Sequence, residues 1–332
     1  MENHRFGLFV LLFVFLVVLA FCSLLTGDVP LLELLQSSNF SDSAWIILWQ
    51  LRLPRTLLAI EVGAALALSG AALQNLVHNP LADPALTGAS QGAALFAALV
   101  FYYGFLSQLG IFALPLAAFI GAGFSLLLLF FWAGFLSSNQ RFAPESFILA
   151  GLALSTLSGA LLGAVLNFAP NPFAMQELVF WLMGSLSERT TQALYFLTPA
   201  LIIGAWGIFS ARHFLSALSL GSHGAQSLGF SVGKMSMLVV FYSALLVSAS
   251  VATAGSIGFV GLIVPHMARK MFGENPSQML LPSLLLGALL VLLADILVRL
   301  LPGEELKLGI LTSLIGAPFF VFLLCQTHKN RF

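Results

Sequence analysis

The sequence predicts an all-α integral membrane protein of about ten transmembrane helices, and three observations carry that prediction. Of its 332 residues 59% are hydrophobic and 8% charged, whereas soluble domains hold about 25% charged residues. Between Asp83 and Arg141 there is no Asp, Glu, Lys or Arg, which is enough chain for two spans of about 20 residues each. The apolar runs are continuous rather than alternating. Backbone groups in lipid must be satisfied within the span, so helices are favoured over a barrel.

The predicted spans are 6–26, 57–77, 86–106, 110–136, 146–166, 194–210, 235–254, 257–266, 279–300 and 308–325. The first follows His4 and Arg5. Its core of about 20 residues exceeds the length of a signal-peptide core and no A-x-A site follows it, so it is expected to stay as a membrane helix. The second begins behind Arg52, Pro54 and Arg55 and runs into HNPLADP, where Pro80 and Pro84 stop the helix and Gly88 permits a tight turn into the third. The eighth is too short to cross at about 1.5 Å per residue. Its Gly255, Gly258 and Gly261 predict a broken or buried half-helix packed inside the bundle. The whole chain, 1–332, reads as a single transmembrane domain.

Orientation follows from the cations. With an even number of spans and the N-terminus inside, the inner loops hold Arg5, Arg141, Arg212, Lys234, Arg269, Lys270, Lys329 and Arg331. The outer loops then collect Asp28, Glu33, Asp42, Glu177, Glu188, Glu304 and Glu305. The positive-inside rule supports this choice and sets both termini in the cytoplasm. Arg52, Arg55 and Arg299 break the rule at the outer surface, and two readings stand for them. Either they snorkel to headgroups, Arg299 pairing with Asp295 one turn earlier, or they dock an acidic partner from outside.

All six histidines fall at or near the inner face, and the two cysteines are far apart. No metal-ligand spacing results. The stretch GFSVGKM, Gly229 to Met235, has the wrong spacing for a phosphate-binding loop and no hydroxyl after its lysine. Neither that loop nor HExxH is present, so nothing in the chain points to ATP binding or to an enzyme. Glu61 is the one acid well inside a span, and hydrogen bonding to neighbours explains it as well as function does.

Four segments carry a resemblance. They are LRLPRTLLAIEVGAALALSGAALQNLVHNPLADPALTGASQGAA from Leu51 to Ala94, LSLGSHGAQSLGF from Leu218 to Phe230, GSIGFVGLIVPHMARKMFG from Gly255 to Gly273, and VLLADILVRL with ELKLGILTSLIGAPFF between Val291 and Phe320. In this order they closely resemble the iron-siderophore, haem and cobalamin family of ABC importer permeases, to which the vitamin B12 permease belongs. Lys307 departs from the proline common at that position.

The resemblance implies a vitamin B12 permease-like bundle of ten helices, paired with itself or with a sister permease around one path. It implies two ABC ATPase subunits that use ATP and Mg, a soluble binding protein, and residence in a bacterial inner membrane, with no cofactor bound by this chain. The cargo it implies is a ferric siderophore or related iron complex, with cobalamin or haem as alternatives. Ion-coupled secondary transport is a more distant one, thinly supported by Glu61.

Residue by residue, LGxxxAxxLG matches the family's coupling helix, with Leu220, Gly221, Ala225, Leu228 and Gly229 at the ATPase. Asn79, Pro80 and Leu81 match an inner gate, and Ala143 and Pro144 a second gate position. Arg52, Arg55 and Arg299 match positions that face glutamates of the binding protein.

Overall fold

The computed structural model describes residues 2–27, 45–84, 88–136, 144–169, 172–187, 189–301 and 306–329. Among them there are 13 helices and no strand. Helix α1 spans Glu2–Leu25. A π-helical segment, Ile47–Arg52, leads into α2, Leu53–Leu76. Then come α3 (Ala89–Tyr103), α4 (Ala113–Leu136), α5 (Pro144–Asn167), α6 (Pro172–Leu182) and α7 (Thr191–Ser210). Two short helices, α8 (Arg212–Leu218) and α9 (Gly221–Ser227), precede α10 (Val232–Ala254), α11 (Val260–Phe272), α12 (Pro276–Leu300) and α13 (Leu308–Lys329).

Every predicted span carries a helix. Among the described residues six are long and apolar enough to cross a membrane, and α3, α4 and α13 hold shorter apolar stretches. The sequence reading missed α6: its 11 residues include Gln176 and Glu177, so the segment reads as an outer loop.

Helix α2 is the axis of the bundle, packing on α12, α10, α11 and α7. It is buried all round because the run from Gly63 to Ala72 is mostly Gly, Ala and Ser. A Cβ on Gly63 would lie 2.1 Å from the Gly287 carbonyl oxygen of α12, and one on Gly70 would lie 2.0 Å from that of Gly261 on α11. In lipid, helix association rests on such close backbone approach rather than on a hydrophobic drive.

Residues 255–259 between α10 and α11 are not helical. Gly255 has φ +72° and Phe259 φ +66°, and the left-handed aromatic fits because α13 offers Gly316 there. A Cβ on Gly316 would come 2.4 Å from that of Phe259. Neighbouring segments satisfy the broken backbone: Ser185 N–H donates to Ala254 O (2.8 Å), and Ser256 N–H to Leu182 O (3.3 Å). Irregular backbone at membrane depth persists only when protein supplies such partners. Since Gly261 meets Gly70, α11 begins about 25 Å along α2 from Leu53. It is the half-helix the glycines predict.

Candidate coupling, gating and docking sites

One end of the bundle gathers the start of α1, the end of α2, α8, α9, the end of α11 and the start of α12. Arg5 Nη1 donates to Gln278 Oε1 (2.6 Å), and His78 Nε2 lies 2.9 Å from Leu218 O. Asn275 caps α12 by accepting from Ser277 N–H (3.1 Å), with Pro276 in the first turn. Ser216 Oγ of α8 donates to that same Asn275 side chain (3.1 Å). The α8 segment is thereby fastened to a long helix.

The predicted coupling residues divide into two groups. Gly221 and Gly229 both adopt left-handed φ, +86° and +88°, which lets a seven-residue helix begin and end abruptly. Ala225 is fully buried and faces the bundle, beside Phe214 and Val232 in the same apolar cluster. Its carbonyl accepts from Phe230 N–H (3.1 Å). Leu220 and Leu228 point the other way, 71% and 60% exposed. Ala225 therefore seats the helix, and the leucines are what it presents.

The predicted gate loop is a tight turn. Leu81 N–H donates to Asn79 Oδ1 (2.9 Å) and Ala82 N–H to Asn79 O (3.1 Å). Pro80 and Leu81 stay exposed. His78 enters the turn at φ +50°, a conformation uncommon outside glycine. Pro84 leaves it buried against α11, so close that a Cβ on Gly261 would lie 2.7 Å from the Pro84 Cδ. Of the second gate position, Pro144 opens α5 and Ala143 lies outside the described residues.

At the opposite end the three arginines turn inward. Arg55 Nε donates to Asp295 Oδ1 (2.9 Å), and Arg299 pairs with the other oxygen of the same carboxylate. Asp295 is only 1% exposed. Arg299 Nη1 also donates to Ser23 O (3.0 Å), and Arg52 Nη1 to Leu24 O (3.0 Å) and Leu25 O (3.3 Å). Ser23 and Thr56 share a hydroxyl hydrogen bond (2.8 Å). The orphan carbonyls ending α1 thus receive guanidinium donors, a favourable cation at a helix C-terminus. The Arg299–Asp295 pairing expected from spacing is present, and Arg55 joins it from α2.

Glu61, within α2, accepts from Thr198 Oγ1 on α7 (2.8 and 3.0 Å), so the intramembrane acid has a hydrogen-bonding partner. Lys307 Nζ sits 5.4 Å from the Phe180 ring centroid, a cation–π contact that proline could not make. A groove of about 630 Å³ runs beside the α10–α11 break, bordered by Met183, Ser256, Gly258, Ser313 and Leu314. The five residues Gly88 to Gly92 have the form G-x-S-x-G. That motif needs a strand before its turn, and no strand exists among the described residues.

Comparison with known proteins agrees with this architecture. A model of the FecCD transport family matches residues 11–326. The chain is 36% identical over 328 residues to the hemin transport system permease protein HmuU of Yersinia pestis, covering 96% of each. It is 37% identical over 294 residues to the vitamin B12 import system permease protein BtuC of Citrobacter koseri, covering 87% of this chain and 86% of that one. Its structure is similar to an inward-facing conformation of a metal-chelate type ABC transporter, with TM-score 0.86 and 33% identity, covering 98% and 100% of the two chains. With its bundle, its half-helix and a match over nearly its full length, the chain belongs to the FecCD transport family, as a membrane-spanning permease subunit of an ABC importer and not an enzyme.

Proposed function

We propose that the chain passes a ferric siderophore or related iron complex from a binding protein outside to the cytoplasm, with α9 as its contact to the ATPase. The observation that carries the coupling reading is the exposed pair Leu220 and Leu228 at the two ends of a helix seated by Ala225. Two large exposed leucines that flank a seven-residue helix, at the bundle end read here as cytoplasmic, fit a partner's apolar groove. Burying each would contribute about 1.5–3 kcal/mol.

In this reading the α9 end faces the cytoplasm, with both termini, and the arginine end faces the binding protein. Arg55, whose side chain is the more exposed at 17% against 6% for Arg299, presents charge to acidic lobes. Arg52 and Arg299 hold the rim that carries it. Nucleotide-driven closure moves α8 and α9, and through Leu218 and His78 it shifts the turn at Asn79, Pro80 and Leu81. Ala143 and Pro144 would supply the second gate element. The groove at the α10–α11 break, paired with that of a second permease chain, would form the path. Its sparse polar lining suits a bulky chelate that must be held weakly and released.

An iron complex is favoured by the hemin permease relative, matched over 96% of both chains. Cobalamin is the second reading, favoured by the B12 permease relative. The test is reconstitution in proteoliposomes with the neighbouring ATPase and binding protein, followed by ferric siderophore, haem and cobalamin in turn. Stimulated ATP hydrolysis and uptake of labelled iron, lost in Leu228→Asp, are expected. Uptake of cobalamin alone establishes the second reading, and failure to assemble with any ATPase refutes the coupling role of α9.

A further inference from the structure

A cavity of about 550 Å³ opens between the end of α2, α8 and the end of α11, walled by Gln74, His78, Leu215, His266, Arg269 and Lys270. Its wall carries both signs of charge. Arg269 and Lys270 line it together with the exposed carboxylate of Glu274. The everyday explanation for two cations in the last turn of a helix is that they offset its C-terminal dipole, and the geometry of Arg269 does not follow it.

Arg269 reaches back towards the start of α11, where its Nη2 donates to Gln74 Oε1. Gln74 is itself fixed, its Nε2 donating to Gly261 O (3.1 Å) and Leu262 O (3.2 Å), and it is 2% exposed. The last turn is closed without the guanidinium, by Gly273 N–H donating to Arg269 O (2.9 Å). Among the described residues no carboxylate lies within ion-pair distance of Arg269. A half-buried guanidinium whose one hydrogen bond goes to a neutral amide, held in position and lining an open cavity with Glu274 near it but not in contact, has donors left for an anion. His266, in the same wall, has a buried Nε2 with no hydrogen-bond partner.

We propose that this cavity binds a phosphate-bearing anion, with Arg269 and Lys270 as its charged contacts. Guanidinium and ammonium groups together suit phosphate oxygens, and the volume falls in the range of ligand pockets. It is large enough for a headgroup or a phosphate ester. Basic pockets between helix ends on the cytoplasmic side are where anionic headgroups gather. The anion would touch three elements at once, namely the turn entered by His78, the α8 segment at Leu215 and Ser219, and α11. Occupancy would tie the turn to the half-helix, independently of which cargo the protein carries.

The full chain in neutral detergent is titrated in two arms, with inorganic phosphate and with phosphatidylglycerol in mixed micelles. Phosphatidylcholine and matched sodium chloride serve as controls. A rise of several degrees in the thermal unfolding midpoint is expected in at least one arm, with half-maximal concentration raised at least tenfold in Lys270→Gln and the response abolished in Arg269→Gln. Lys234→Gln, outside the cavity, keeps the full response. A rise with lipid alone assigns a headgroup, a rise with phosphate alone assigns a soluble phosphate, and a rise in both assigns the shared group. No rise in either arm, or a Lys270→Gln titration that matches the unaltered chain, overturns the proposal. Lys270 is exposed, so that variant remains informative if Arg269→Gln fails to fold.

Discussion

At one end of the bundle Arg52, Arg55 and Arg299 turn inward onto Asp295 and the last carbonyls of α1. At the other, Leu220 and Leu228 turn outward from α9 and Arg269 lines an open cavity. At the first end Arg55 and Arg299 share one internal carboxylate, so three helices meet there as a braced rim. The second leaves two leucines exposed and a guanidinium facing an open cavity. A rim that holds still and a face that needs completion are what separate a platform from a transmission surface, and each can be perturbed without touching the other.

The largest effect is expected at the rim. Asp295→Ala leaves the guanidinium groups of Arg55 and Arg299 beside each other with their shared carboxylate gone, and breaking a buried ion pair from one side costs about 3–5 kcal/mol. The purified chain should show a steep fall in its thermal unfolding midpoint, and Asp295→Asn a smaller one because an amide oxygen still accepts. Equal stability of Asp295→Ala and the unaltered chain would mean the rim is not a brace. Next comes the seam between the ends. Gly70→Ala drives a methyl to within 2.0 Å of the Gly261 oxygen, and overpacking of this kind costs about 1–3 kcal/mol. Because Gly261 begins α11, protease accessibility around residues 273–275 should rise in this variant and not in Asp295→Ala.

Much of this contrast was legible in the sequence, and the reason is chemical. Spans announce themselves by composition, so each of the ten predicted segments carries a helix, six of them long and apolar enough to cross among the described residues. Helix α6 does not announce itself, because 11 residues holding Gln176 and Glu177 are neither long nor apolar enough. The Asp295–Arg299 pair follows from a spacing of four on one helix. Its third member, Arg55, is 240 residues away, and no local pattern reports it. The coupling segment was visible as a motif, yet the motif does not say that Ala225 faces in while Leu220 and Leu228 face out. No local pattern pairs Arg269 with Gln74, because the charges of HMARK read first as topology signals. The one available signal was a glutamine near the end of a mostly apolar span.

A smaller effect is expected at the turn. His78 makes a hydrogen bond to Leu218 O while sitting at φ +50°, so two terms oppose each other. His78→Ala loses the bond, about 1 kcal/mol, and keeps the left-handed strain. His78→Gly loses the same bond but removes a strain of about 1–2 kcal/mol, partly countered by glycine's greater freedom when unfolded. The glycine variant should therefore unfold at or above the midpoint of the alanine variant. The reverse order would show that the turn is not strained, and that the α2–α8 link rests on the side chain alone.

The smallest effect on the chain itself is expected from Leu220→Ser with Leu228→Ser, and it separates the two ends most sharply. Both side chains are exposed, so their removal should change stability by no more than about 0.5 kcal/mol. If α9 fills an ATPase groove, the same pair of changes removes apolar burial worth about 1.5–3 kcal/mol per leucine. Each 1.4 kcal/mol is about tenfold in affinity, so co-purification with the ATPase should weaken by at least two orders of magnitude while the unfolding curve stays in place. Ala225→Asp should do the opposite in sequence, first unseating α9 from the apolar cluster that Ala225 joins and only then weakening the partner. A double serine variant that unfolds early would place the leucines in the fold after all, and one that binds the ATPase unchanged would move the transmission surface elsewhere on this end.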